Sequence, residues 1–241
     1  MATGTTKLLQ PFMFDSATAE DTRTREELLY ELNVLGKVLN KSRRCVQNRF
    51  AEPSWNENVH FPILELALES FAGVEYRNVY GRHAVSSYLV QRLMLTSTTA
   101  CVVPRLVPRH INGDILASKI VDYTINLEPS DEMEDMILRM LKNQPHDLRT
   151  INQTMCSYVR YLPIAVSIET KMQDGSEQEA KVQLVMWAAA QFNRLRMLSC
   201  TVLPTLPLLY VSGSLWFLYF ACDRPQRVVC SFRFILSGAH I

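Results

Sequence analysis

One run of the chain, Tyr161 to Leu198, restricts the fold more than any other, because it reads as a strand, a tight turn and a long helix in immediate succession. Side chains alternate along a strand, so Ile164, Val166, Ile168 and Thr170 share one face while Ala165, Ser167, Glu169 and Lys171 share the other. An apolar strand that ends in a same-face acid and lysine is either reaching solvent, where charges cost little, or carrying chemistry. Asp174-Gly175 supplies the turn, and Ser176 with Glu179 three residues on makes a capping box for the helix. Glu177 and Lys181 are spaced for an i,i+4 ion pair on its first turn.

Upstream, Lys119 to Leu127 predicts a strand with Val121, Tyr123, Ile125 and Leu127 on one face and Asp122 on the other. An aspartate in a β-rich run is out of place by propensity, and so belongs to an edge or to a function. Pro129 to Lys142 predicts an acidic-started helix, its carboxylates suited to the N-terminal dipole. Asn143 to Met155 follows as a polar loop. Nearer the start, Arg23 to Val46 carries Leu28, Leu29, Leu32, Leu35, Val38 and Leu39 at helical spacing, with Lys41, Arg43 and Arg44 at its C-terminal end. Glu52-Pro53-Ser54 reads as a break before a second helix, Trp55 to Gly73, with Pro62 in its first turn and Val59, Ile63, Leu64, Ala67, Leu68 and Phe71 as the buried stripe. Glu65 and Glu69 share a face of that helix, which is either a solvated side or a source of one metal ligand, and His60 reads as a polar helix residue. Weak strand signals fill 74–103, and Pro104 to Ala117 is a loop carrying Arg105, Arg109 and His110.

Ser199 to Cys222 holds no charged residue and is long enough to raise a membrane span. Pro204, Pro207 and the central Ser212-Gly213-Ser214 favour a buried β-hairpin instead. Asp223 to Gln226 turns the chain into a last strand, Arg227 to Leu236. Residues 1–22 read as a loose arm without a signal peptide, and 23–241 as one domain. The net charge of +1 gives no independent support for a nucleic-acid partner. Six scattered cysteines without a C-x-x-C pair read as free thiols of an intracellular protein, cytoplasmic or nuclear, and five dispersed histidines show no zinc spacing.

The pieces WNENVHFPILELAL, SKIVDYTINLEP, YLPIAVSIETK, EAKVQLVMWAAAQFNRLRML and LPLLYVSGSLWFLYFACD, taken in order, resemble the fungal nuclease-like branch of the PD-(D/E)XK nuclease superfamily over about residues 50–236. The resemblance implies an α/β fold with a restriction-endonuclease-like core: a mixed central sheet flanked by helices, with an extra N-terminal helix and a C-terminal β-hairpin. It further implies that Asp122 and Glu169 bind magnesium or manganese, with Glu65 completing the site, and that Lys171 assists water attack. Gln183, twelve residues past Lys171, either hydrogen-bonds a substrate or Lys171 or is a helix-surface residue, and Trp187 reads as packing rather than base stacking. Asp122 is preceded by Val121 rather than by the proline of the motif, and the helix after it is an insertion. Three readings stand: a metal-dependent phosphodiesterase or nuclease; a repurposed pocket for a small molecule, as in fungal specialised metabolism, lined by Trp187, Trp216 or Phe217; and a silent interaction module, such as a homodimer formed through the aromatic hairpin.

Overall fold

The computed structural model describes residues 23–69, 92–97, 102–106, 121–198, 202–224, 227–231 and 235–237. The arm at 1–22, the helix stop at Gly73, residues 74–91 of the weak strand region, and Arg109 and His110 lie outside the described residues.

Helix α1 spans Arg25–Gln47 and opens with a full capping box, in which Thr24 and Glu27 each satisfy the other's backbone amide. Its buried side differs from the stripe that its spacing predicts. Val38 and Cys45 are buried, whereas Leu28, Leu29, Leu32, Leu35 and Leu39 are exposed. The helix rests on the next layer through a narrow seam, Val34, Val38 and Cys45 against Trp55 and Val59, so its leucines line a different face. The Glu-Pro-Ser run begins the second helix rather than breaking the chain before it. Helix α2 covers Glu52–Trp55, with Pro53 in the first turn, where its missing amide costs nothing. One π turn, Asn56–His60, then leads into α3, Phe61–Glu69. Pro62 is the second residue after that turn and so lies inside the continuous helix. It cannot donate to the carbonyl four residues back, and the wider turn precedes it.

A mixed sheet runs in the order β1-β2-β3-β4-β5-β6, with β7 pairing the other end of β5. The strands are β1 Arg92–Ser97, β2 Tyr123–Glu128, β3 Ile164–Lys171, β4 Leu206–Ser212, β5 Leu215–Arg224, β6 Arg227–Ser231 and β7 Ile235–Ser237. The last strand predicted as one piece is thus two, both paired with β5. Helix α4, Asp131–Leu141, lies between β2 and β3 and is capped by Ser130. Helix α5, Glu177–Met197, is capped by Ser176 and carries the Glu177–Lys181 pair at 2.6 Å. It makes the crossover that lets β3 and β4 run parallel. The uncharged stretch forms the β4–β5 hairpin, and no helix among the described residues is long and apolar enough to cross a membrane.

Two cores cover the two sides of the sheet. Leu184, Trp187, Ala188 and Phe192 of α5 pack with Leu208, Tyr210 and Phe217 on one side. Leu64 and Leu68 of α3 pack with Tyr123, Ile168 and Val211 on the other. Ile164 joins the α5 cluster although Val166 and Ile168 face α3, because β3 bulges at Ala165, where Ile164 and Val166 pair successive residues of β2. The second half of the polar loop after α4 is buried: Thr150, Asn152, Gln153 and Thr154 are fully enclosed. Its side chains and those of α5 hydrogen-bond the loop's own backbone, which is how a loop can enter a core.

Candidate metal centre

Glu169, Thr170 and Lys171 end β3, and alternation sends them to different sides. Ser167 accepts from the buried Trp187 indole at 3.0 Å, which places Ser167, and with it Glu169, on the α5 side. Thr170 turns toward the α2–α3 layer, where its hydroxyl lies 2.7 Å from the Asn56 amide. Asp122 stands immediately before β2 rather than within it. Its amide donates to the Ile168 carbonyl at 3.0 Å, and its Oδ2 accepts from the Thr170 amide at 2.8 Å and the Thr170 hydroxyl at 2.7 Å. Leaving the strand there frees the aspartate from the alternation that its propensity argues against.

Lys171 Nζ donates to Glu169 Oε1 at 2.6 Å and lies 3.6 Å from Glu52 Oε2. Asp122, Glu169 and Glu52 therefore share one ammonium, and negative charge is in excess. Burial, reinforced by Asp122 and opposed by Lys171, pushes the Glu169 carboxyl up to about 8. Burial also raises Glu52, against the pull of Lys171. For Lys171, burial works to lower the pKa, but Glu169, Glu52 and Asp122 outweigh it and the ammonium is held more firmly than usual.

Glu169 is 1% exposed, and its Oε2 has no hydrogen-bond partner among the described residues. A buried carboxylate oxygen without a donor calls for a proton or a cation. Hard oxygen donors with an excess of negative charge fit magnesium or manganese. Among the described residues no group of at least three His, Cys, Asp or Glu side chains is arranged to hold a metal. Magnesium does not need one, because it keeps most of its waters and takes one or two carboxylates.

Of the residues that the resemblance groups, Lys171 and Glu169 are in direct contact, and Asp122 is among the charges that act on both. Glu65 is half-buried on α3, and it is absent from the charges that act on Glu169 and Lys171, whereas Glu52 is present among them. The helix carboxylate that reaches the lysine comes from the start of the helix, a turn that the sequence reading treats as a break. A Glu-Pro pair at N1 and N2 was the available signal. Gln183 lies half-buried in the second turn of α5. Sequence reasoning also passes over His60 as a core group. Its ring is fully buried, stacked on Trp55 and edge-on to Trp216, with Nε2 2.7 Å from the Gly213 carbonyl. Burial pulls its pKa down to about 4. Gly213 has φ +55 at the tip of the β4–β5 hairpin, a conformation that suits glycine, and its amide donates to the Lys171 carbonyl at 3.0 Å.

A family model described as the PD-(D/E)XK nuclease superfamily matches residues 4–238. The chain belongs to that superfamily, and its mixed α/β architecture is consistent with the restriction-endonuclease-like fold. No curated protein and no solved structure matches the chain.

Proposed function

We propose that this member of the PD-(D/E)XK nuclease superfamily is a metal-dependent phosphodiesterase acting on nucleic acid, with Asp122 and Glu169 holding a magnesium or manganese ion and Glu52 or Glu65 completing the acidic set. The observation that carries the reading is the buried Glu169 Oε2, which has no donor among the described residues and sits in a cluster with more carboxylates than cations. When bound, the cation supplies positive charge to the phosphoryl group and acidifies a water.

The chain's own residues do the rest. Asp122 keeps a fixed orientation because two donors of Thr170 grip one of its oxygens. Glu169 would face a cation with Oε2 in its deprotonated form, while Oε1 holds Lys171. Lys171, half-withdrawn from water, presents a point charge that orients the attacking water and offsets charge growing on the phosphate. Gln183 hydrogen-bonds the substrate from α5.

A small-molecule pocket draws less support. The void beside Trp187 measures about 10 Å³, room for a single water, and Trp216 packs in the opposite core. The test is cleavage of single- and double-stranded DNA and RNA with magnesium or manganese, comparing wild type with Asp122→Ala and Lys171→Ala. Metal-dependent cleavage by the wild type that both variants lose is the expected result. Cleavage that survives Lys171→Ala sinks the mechanism.

A further inference from the structure

His60, Asn56, Thr170 and Asp122 form a continuous hydrogen-bonded line from the β4–β5 turn to the acidic cluster. One end of the Asn56 amide lies 2.8 Å from His60 Nδ1 and 2.7 Å from Thr170 Oγ1. The same hydroxyl lies 2.7 Å from Asp122 Oδ2. The two ends of an asparagine amide have the same shape, so the partners decide which end is nitrogen.

His60 Nε2 faces a carbonyl and must donate. The ring is fully buried and makes no ion pair among the described residues, so it is neutral and its Nδ1 accepts. If the amide oxygen faced Nδ1, two acceptors would meet. The single hydroxyl proton of Thr170 would also be contested by two acceptors, the amide oxygen and Asp122. With the amide nitrogen at that end, each contact has one donor and one acceptor. Asn56 donates to Nδ1 and to Thr170 Oγ1, and the hydroxyl proton goes to Asp122 alone. The other end of the amide makes no hydrogen bond among the described residues, so nothing opposes this orientation.

We propose that His60 is a positioning residue, which fixes the Asn56 amide and through Thr170 commits one oxygen of Asp122 to protein donors, leaving the other for a cation. The same imidazole holds the Gly213 carbonyl, whose amide grips the Lys171 backbone, so one buried ring references both arms of the site. Asn56 and His60 are the first and last residues of the π turn, and the Asn56 amide at its start reaches both His60 and Thr170. The role rests on the reading of Asp122 as a metal ligand.

The experiment combines a tautomer measurement with manganese titration. His60→Ala would open a hole between two tryptophans, so the variants are chosen to keep shape. Thr170→Val removes the hydroxyl, and Asn56→Asp substitutes a carboxylate that cannot donate to Nδ1 or to the hydroxyl. Thr170→Ser restores the hydroxyl. The ¹⁵N shifts of His60 in the full chain are expected to show a neutral ring protonated at Nε2. By calorimetry, Thr170→Val and Asn56→Asp should each weaken manganese binding about 10–100-fold, the usual effect of removing a group behind a ligand. Thr170→Ser should bind close to wild type. A ring protonated at Nδ1, or a Thr170→Val variant that binds manganese as tightly as wild type while Asp122→Ala does not bind, overturns the positioning role and leaves the metal site standing. A wild type that binds no manganese overturns the metal-site reading and the positioning role with it.

Discussion

Two buried polar clusters sit at opposite ends of β3, and they are built on opposite plans. At the Ile164 end, Arg194 donates to the carbonyls of Thr150 and Leu148 at 2.8 and 2.7 Å. Asn152 reaches the carbonyls of Val159 and Leu162, Thr150 reaches that of Thr154, and Gln191 accepts from the Gln153 amide. Nearly every tie joins a side chain to the backbone, and the one cation sits in the last turn of α5, where carbonyl dipoles favour it. The groups left over are Arg194 Nη1 and the two ends of the Gln153 side-chain amide, whose backbone N–H is the group that Gln191 holds. At the Lys171 end charges face charges, and the group left over is an oxygen of a carboxylate. The first cluster ties its cation to main-chain carbonyls and leaves over a guanidinium nitrogen and a neutral amide; the second leaves over a carboxylate oxygen, a demand for positive charge. Both plans carry a cost of burial, and only the second is of a kind that a cation would relieve.

The largest effect that separates the two plans is on activity. Lys171→Ala and Asp122→Ala should each lower metal-dependent phosphodiester cleavage by about 10²–10³-fold or more, with thermal melting changed far less. Next in size is Arg194→Ala, which strands two buried carbonyls and should cost about 3 kcal/mol in urea unfolding while leaving manganese affinity near wild type. If Arg194→Ala lost metal binding in proportion to stability, the two clusters would be one unit and the contrast would fail.

A third experiment uses pH. Glu169 titrates at about 8 when folded, against 4.5 for a free side chain, so the folded state binds the proton more tightly. Its contribution to stability is complete below pH 4.5 and is lost as pH rises to about 8, at roughly 1 kcal/mol per unit. Denaturant titrations should show that slope in metal-free wild type and not in Glu169→Gln. Over the same window manganese affinity should rise about tenfold per unit, since the cation must displace the proton. The smallest effect belongs to Gly175→Ala. A Cβ there would lie 2.7 Å from Lys171 Cβ and 3.0 Å from the Met172 carbonyl, so the lysine must shift. The expected cost is about 1 kcal/mol, with turnover reduced and manganese affinity retained.

Local pattern explains which parts were legible beforehand. The β3–turn–α5 run, the Ser130-capped helix and the β4–β5 hairpin follow from period, caps and a glycine turn, all of which act within a few residues. Glu169 and Lys171 were visible for the same reason, being two apart on one strand. Alternation puts Thr170 on the apolar face, yet its hydroxyl is what holds Asp122. Glu52, Asn56 and His60 were not legible as a site, because their partners lie far along the chain and helical periodicity says nothing of a π turn. The outward leucines of α1 and the buried loop around Asn152 mark the same limit: spacing shows that a face exists, and tertiary contact decides what covers it.

The separation of those partners along the chain sets an order of assembly. The parallel β3–β4 pair and the β4–β5 hairpin close over the 164–224 stretch, joined by α5. The Thr170–Asn56 contact spans 114 residues and the His60–Gly213 contact 153. Long closures come late, because their entropy must be met before any contact rewards it. A refolding chain would therefore have its sheet and α5 in place while the Asn56–His60 turn is still undocked. Hydrogen-exchange protection would appear first in α5 and last at the π turn, so the contacts that fix Thr170 and Asp122 from the helix side would be the last that the molecule completes.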